Sequence, residues 1–393
     1  MKEFGYKYKN IEKFQTGILI QSNKSSGRVI AWGFNNSGQF IIPSDLTDVI
    51  AISAGGVHTV ALKSDGTVVA WGDNYYGQTN VPADLTDVIA ISAGGMHTVA
   101  LKKDGTVVAW GYNYDGQLNI PTPTNVIAIS AGNSHTIALK KDGTVVACGW
   151  NVYGQTTVPS DLTNVKSISA GGYNTVALKN DGTIIAWGDI AWGNNSIGRT
   201  DVPSDLIDVI AISAGGQHTV ALKNDGTVVA WGANGNGQIN VPKDLTDVIA
   251  ISAGKFHTVA LKNNGTVIAW GSNRNEQTNV PDLTNVIAIS AGGFHTVVIQ
   301  SIPQTTSPRL ISSTSQLTIP NTTQPTSQPS QPSSQPTIPT TSFISQLSSQ
   351  INLNQLQSKY TKSTSFLYII LFIGIIAAIF IYISKNHKLD MKI

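Results

Sequence analysis

The chain has 393 residues, a net charge of +2 and only 12% charged residues. That leaves no clustered basic surface of the sort that holds nucleic acid. Its single cysteine, Cys148, excludes an intramolecular disulfide framework.

Residues 1–16 form a polar lead-in without an apolar run of the secretory type. From residue 17 to residue 300 the sequence repeats itself. The segment ISAG begins at Ile52, Ile91, Ile129, Ile168, Ile212, Ile251 and Ile289, at spacings of 39, 38, 39, 44, 39 and 38. A period near 40 belongs to arrays and propellers. Within each unit TVALK and TVVAW are short, roughly alternating and rich in β-branched residues, so they read as strands. An Asp-Gly turn separates them. AGG ends a preceding strand, GxNxxGQ follows the last, and VPxDLTD is the fourth part that carries the chain onward. No part of the array shows the period of a long helix.

The array starts on a bare third strand, GRVIAWG (Gly27 to Gly33), and ends on ISAGGFHTVVIQ (Ile289 to Gln300), which lacks one. The two fragments complete one unit if the ends meet. The expected fold is therefore all-β, a seven-bladed β-propeller over residues 17–300 that removes its edges by radial repetition. GILIQ (Gly17 to Gln21) competes for the second strand of the closing unit.

Residues 301–364 are rich in Ser, Thr, Pro and Gln, the composition of a disordered stalk. Residues 365–384 read as one C-terminal transmembrane helix, followed by a short tail, 385–393. Phe366 to Ile383 carries no charge and would span roughly 27 Å as a helix, the thickness of a thin bilayer. The expected localisation is a single-pass membrane protein. The tail after the span, with no leader before the array, favours a tail anchor and a cytosolic propeller. The Ser/Thr/Pro composition of the stalk favours the extracellular side.

The whole pattern AGxxHTxALKxDGTVxAWGxNxxGQ resembles the repeat of the regulator of chromosome condensation family. The resemblance covers Gly17 to Gln300 and implies a seven-bladed propeller. It also brings two departures. Members that exchange nucleotide on a small GTPase have longer repeats with an inserted β-wedge and a basic tail, and neither is present here. The short units are similar to a bacterial propeller that inhibits β-lactamases without enzymatic activity of its own.

Histidine recurs at one place in six copies, His58, His97, His135, His218, His257 and His295, with Asn174 in the seventh. One histidine per blade spreads ligands around a ring, whereas zinc needs three or four converging, so no metal is expected. Each imidazole is read as tying a loop to its neighbour. Trp32, Trp71, Trp110, Trp187, Trp231 and Trp270 are read as packing between blades. Cys148 replaces the tryptophan in the fourth copy, which predicts local repacking there. Lysines such as Lys63 and Lys102 are followed within two residues by an aspartate, so their charges neutralise locally. No catalytic residue and no cofactor is expected.

The informative positions are those that vary between copies. In GGxH they include Val57, Met96, Tyr173, Phe256 and Phe294; in the GxNxxGQ loops they include Phe34, Tyr75, Tyr76, Tyr112, Tyr114, Trp150, Tyr153 and Arg274. Trp192 lies in a five-residue insertion of the fifth unit. Antiparallel strand order puts both sets on one face, with the Asp-Gly turns and the VPxDLTD links on the other. Aromatic, Met and Arg side chains are enriched in interface cores. The sequence thus predicts a membrane-tethered, non-enzymatic propeller that binds a protein partner on this face. A small-GTPase regulator and a carbohydrate-binding or enzymatic propeller are the alternatives. The bilayer, through Phe366 to Ile383, is the other expected partner, and nucleic acid is not one.

Overall fold

The computed structural model describes residues 14–15, 18–19, 27–121, 124–188 and 198–302, all within one compact unit, Met1–Arg309. The stalk, the apolar span, Trp192 and the rest of its insertion lie outside the described residues. Among the described residues no helix is long and apolar enough to cross a membrane.

The ISAG segments form inner strands, the HTVALK segments middle strands and the AWG segments outer strands, antiparallel in that order. Blade 1 is Val49–Ala54, His58–Lys63 and Val68–Gly72, and blade 2 is Val88–Ala93, His97–Lys102 and Val107–Gly111. Blade 3 (Val126–Ala131, His135–Lys140, Val145–Gly149) and blade 4 (Val165–Ala170, Asn174–Lys179, Ile184–Gly188) follow. Blade 5 is Val209–Ala214, His218–Lys223 and Val228–Gly232, and blade 6 is Val248–Ala253, His257–Lys262 and Val267–Gly271. Blade 7 joins the two ends of the array: Val286–Ala291 pairs with His295–Ser301, which pairs with Gly27–Gly33 from the N-terminal side.

Two sequence expectations are revised. The fourth part, VPxDLTD, makes no strand, and each blade has three. It runs up the outer side of the blade, so it is not confined to the Asp-Gly face: its apolar residues, such as Val81 with Leu85 and Val158 with Leu162, pack into the cores between blades. Ile18–Leu19 pairs with Phe14–Gln15 in a small sheet of its own, while His295–Ser301 takes the second-strand place in the closing blade.

The link ends on Asp or Asn for a backbone reason. Asp48, Asp87, Asn125, Asn164, Asp208, Asp247 and Asn285 all have φ between 54° and 61°. Short polar side chains tolerate this left-handed region better than most. The carbonyl of that residue then accepts a hydrogen bond from the turn beyond the middle strand, as Asp48 O does from Ser64 N at 2.9 Å. The turn aspartates accept from backbone too: Asp65 Oδ1 takes the Thr67 N–H at 2.9 Å. Lys63 stands 3.7 Å from Asp65 and Lys140 3.3 Å from Asp142, in exposed pairs that add little stability.

Every middle strand is buried on both sides, because its two faces meet different neighbours. The core is accordingly divided among the joints. At the joint of blades 1 and 2, Val60, Leu62 and Val68 meet Val88, Ile91, Ala100 and Trp110. At the closing joint Val29, Val297 and Ile299 meet Val49, Ile52 and Trp71.

Three rings of hydrogen bonds cross these joints. The ISAG serine accepts a backbone N–H from the next blade, for example Ala93 N to Ser53 Oγ at 2.9 Å and, across the closure, Ala54 N to Ser290 Oγ at 2.9 Å. Backbone joins backbone from Gly56 N to Gly94 O (2.9 Å), from Gly95 N to Gly132 O (3.0 Å), and so on until Gly293 N reaches Gly55 O (2.9 Å). A Cβ on Gly55 would lie 2.6 Å from Gly94 O and 2.6 Å from His58 Cε1, so no side chain fits there.

The histidines make the third ring. His58 Nε2 lies 2.9 Å from Thr98 Oγ1 of the next blade, and Thr98 Oγ1 lies 2.7 Å from the Gln78 carbonyl. A carbonyl only accepts, so the threonine hydroxyl donates to it and His58 Nε2–H donates to the threonine. The same Gln78 O also accepts the Trp110 indole N–H at 3.0 Å. His295 closes the ring on Thr59 at 3.0 Å, and Thr59 and Trp71 both donate to Gln39 O, at 3.1 and 2.8 Å. The histidines join neighbouring blades through the threonine hydroxyl, and the tryptophans, expected to pack between blades, also donate to the loop carbonyl that precedes their blade. Asn174 serves in the histidine's place through Nδ2 to Thr219 Oγ1, at a long 3.5 Å. In blade 5 the position of the glutamine is taken by Arg199; Thr219 still donates to its carbonyl at 3.1 Å, but the buried Trp231 indole N–H finds no acceptor among the described residues.

Cys148 occupies the tryptophan's place in blade 3. Its thiol points at Gln117 O, 3.4 Å away, the carbonyl a tryptophan N–H would reach. Burial pushes the thiol up to about 11. Native protein at neutral pH should therefore react with a disulfide reagent far more slowly than protein unfolded in urea. Equal rates would show that the side chain is open to solvent.

The six histidines are wholly buried, and burial lowers them to between about 3 and about 4. Unfolded histidine titrates near 6.5, so as pH falls below that value the unfolded chain binds protons that the native ring does not. The stability these neutral rings hold is complete above about pH 6.5 and shrinks as pH falls. At pH 5.5 each site favours unfolding by on the order of 1 kcal/mol, and six together by several kcal/mol, comparable with the whole stability of a domain. Acid unfolding followed by tryptophan fluorescence should have its midpoint between about pH 5 and 6, ahead of carboxylate titration. Replacing His58 and His218 by Asn, the residue blade 4 already uses, should lower that midpoint. A midpoint below about pH 4 in the parent chain would contradict the assignment.

Candidate protein-binding face

The loop between inner and middle strands and the loop after the outer strand meet at one end of each blade. They are bonded to each other: Asp73 N donates to Val57 O at 3.0 Å, Tyr112 N to Met96 O at 2.9 Å, Phe34 N to Phe294 O at 2.9 Å and Ser272 N to Phe256 O at 2.9 Å. Both variable sets thus share one face. The Asp-Gly turns lie at the other end of the strands.

On that face the predicted aromatic residues assemble across blade boundaries into three groups. Tyr75 and Tyr76, after blade 1, meet Tyr112 and Tyr114, after blade 2, edge to face. Ring centroids are 4.8 Å apart for Tyr75–Tyr76 and for Tyr76–Tyr112, and 5.2 Å for Tyr112–Tyr114. Tyr75 is 82% exposed and Tyr114 86%, while Tyr76 and Tyr112 are half-buried beneath them. Burial, with Asp115 close by, raises the Tyr112 hydroxyl, so it remains a neutral donor. Trp150 and Tyr153, after blade 3, pack on Tyr173 of blade 4 at 5.6 and 4.9 Å. The Arg199 guanidinium sits over the other part of that group, 5.4 Å from the Tyr173 ring centre, and donates to Gly216 O at 3.3 Å. Phe34, Phe294 and Phe256 form the third, at 6.0 and 5.8 Å, bringing the ends of the array together with blade 6.

A central cavity of about 340 Å³ opens on the same face, with Tyr173 and Phe294 of these groups in its lining. Its wall is seven Ala-Gly pairs, one per blade, and its rim carries Val57, Met96, Tyr173, Gln217 and Phe294 from the variable set. Arg274 is exposed in the loop after blade 6 and does not line the cavity. Two lining residues went unnoticed in the sequence, Asn133 and Lys255. They stand where blades 1, 2, 4, 5 and 7 have the second glycine of AGG. The departure from glycine was the available signal. Among the described residues no group of three or more His, Cys, Asp or Glu is arranged to hold a metal ion.

A family model described as RCC1-like domain matches residues 43–305. Among solved structures, Prp20p from Saccharomyces cerevisiae, determined together with its binding properties to Gsp1p and histones, superposes with a TM-score of 0.62 at 18% identity. That match covers 72% of this chain and 93% of Prp20p. Human WBSCR16 gives 0.58 at 19% identity, over 70% of this chain and 99% of its own. The receptor kinase CR4 ectodomain of Physcomitrella patens gives 0.52 at 22%, over 66% and 72%. At these identities the likeness concerns the fold. No curated protein sequence matches.

Proposed function

The chain belongs to the RCC1-like domain family, and we propose that it is a non-enzymatic scaffold whose aromatic loop face binds a protein partner, tethered to a membrane through Phe366 to Ile383. The observation that carries the reading is the tyrosine group. Tyr75 and Tyr114 expose most of their surface, and no strand or core depends on them. Rigid aromatic rings with a polar tip supply contact area at small entropic cost, as interface cores require. The tether rests on the sequence alone: eighteen uncharged residues after a stalk of some 60 residues. A Ser/Thr/Pro/Gln-rich segment of that length before a membrane span would confine the propeller near its membrane and raise its effective concentration toward partners there.

Cross-linked capture with the full chain should recover a partner that the Tyr75→Ser/Tyr114→Ser variant loses. Losing two central aromatic contacts costs roughly 2–4 kcal/mol, a drop of about 30-fold or more in affinity. Unchanged recovery would remove this face from consideration. Carbonate extraction tests the tether separately: the full chain should stay with the membrane pellet, and a chain ending at residue 302 should not.

A further inference from the structure

We propose that the mouth of the central cavity is a carboxylate-binding site that receives an acidic side chain of the partner, flanked by an apolar one. This rests on the reading of the loop face as a protein-binding surface and names the chemistry the partner presents at its centre.

At the second glycine of AGG, five blades have no side chain, and only Asn133 and Lys255 do. They belong to blades 3 and 6. Three steps apart on a ring of seven is as far apart as two blades can be, so a cation and an amide face each other across the mouth. Their neighbours make room for them. A Cβ on Gly95 would lie 2.7 Å from Asn133 Oδ1, and one on Gly216 would lie 2.8 Å from Lys255 Cγ. Both side chains therefore lean over the glycine of the preceding blade, along the rim.

Lys255 is exposed and is the only charged residue in the cavity wall; no Asp or Glu lines it. Its ammonium is not held by a carboxylate but lies over two aromatic rings, 5.5 Å from the Phe256 centre and 5.3 Å from that of Phe294. Ring faces steady a cation while leaving its hydrogens for another acceptor. Lysines that do stand near a carboxylate, such as Lys63, Lys140 and Lys179, sit at the opposite end of the strands and pair with the turn aspartates. Among the described residues Lys255 has no such neighbour. The lining also holds Phe294, Met96 and Val57 as apolar wall, and amide groups from Gln217 of the adjoining blade 5 and from Asn133 on the far side of the mouth. A mostly apolar cavity with a few polar groups on its wall is the ordinary form of a ligand site. Here the charge complement is an anion, the amide groups suit a carboxylate oxygen, and the phenyl rings suit an adjoining apolar group. The volume, about 340 Å³, accommodates one or two side chains and not a folded element.

The probe is a pair of capped tetrapeptides, acetyl-Ala-Phe-Glu-Ala-amide and its Gln counterpart, titrated by calorimetry into the full chain in detergent. The Glu peptide should bind about fivefold more tightly than the Gln peptide at low salt, with the preference shrinking as salt rises. Lys255→Met should bring the two peptides to parity, and Lys255→Arg should keep the preference. Lys255 is exposed and outside every strand, so these variants fold, which near-ultraviolet circular dichroism checks. Equal binding of the two peptides to the parent chain, no binding of either, or a preference that survives Lys255→Met would each overturn the proposal. The outcome separates from that of the tyrosine variant. Loss of partner capture with Tyr75→Ser/Tyr114→Ser but no Glu preference rejects the carboxylate site alone. Unchanged capture with a clear Glu preference rejects the tyrosine face and supports the channel site.

Discussion

The joint between adjacent blades is the interaction on which the rest of this protein depends. A three-stranded blade here has no core of its own. Its middle strand is buried on both sides only because a neighbour lies against each side. Remove one neighbour and residues such as Leu62 and Val60, fully buried in the ring, face water. Closure is therefore a condition for stability and not an ornament of it. The chain meets the condition by splitting one blade between its ends, with His295–Ser301 pairing along Gly27–Gly33.

Apolar packing alone would let two flat, similar blades slide over each other. The three polar rings prevent that. Serine oxygens, backbone amides and the histidine–threonine–carbonyl relay, with Asn174 in the histidine's place at one joint, fix each joint at three places, and each needs the neighbour at one height. The relay leaves each histidine Nδ1 buried without a partner. That is tolerable for a neutral imidazole and costly for a charged one, which is why burial holds these groups so far below their ordinary range. The ring is thus built on neutral histidine.

Because the joints fix the blades, the loops at one end are free to differ. A rigid frame with variable loops is where binding residues ordinarily sit. The tyrosine pairs, the Trp150 group and the phenylalanine group all bridge two or more blades, so their arrangement is set by the angle between blades rather than by any single loop. The mouth of the cavity opens on the same face, and its exceptions, Asn133 and Lys255, break the seven-fold pattern at two distant points.

Much of this was legible in the sequence. The period near 40 and the split terminal unit fixed a closed ring of seven, since blade count follows from the number of copies and closure from which fragment is missing at each end. The places of His58 and Trp71 in the frame, and the aromatic face itself, followed from repetition and from strand direction. The acceptor partners were not legible: Thr98 and the Gln78 carbonyl belong to different units, and a backbone carbonyl leaves no mark in a residue pattern. The outer VPxDLTD segment read as a fourth part, yet its prolines and left-handed Asp or Asn keep it out of the ladder. Nor did the sequence pair Tyr76 with Tyr112 or set Lys255 opposite Asn133. Tyr76 and Tyr112 are 36 residues apart, and Asn133 and Lys255 are on blades three steps apart. Their meeting depends on the rotation from one blade to the next, which packing at the joints decides and no local pattern encodes.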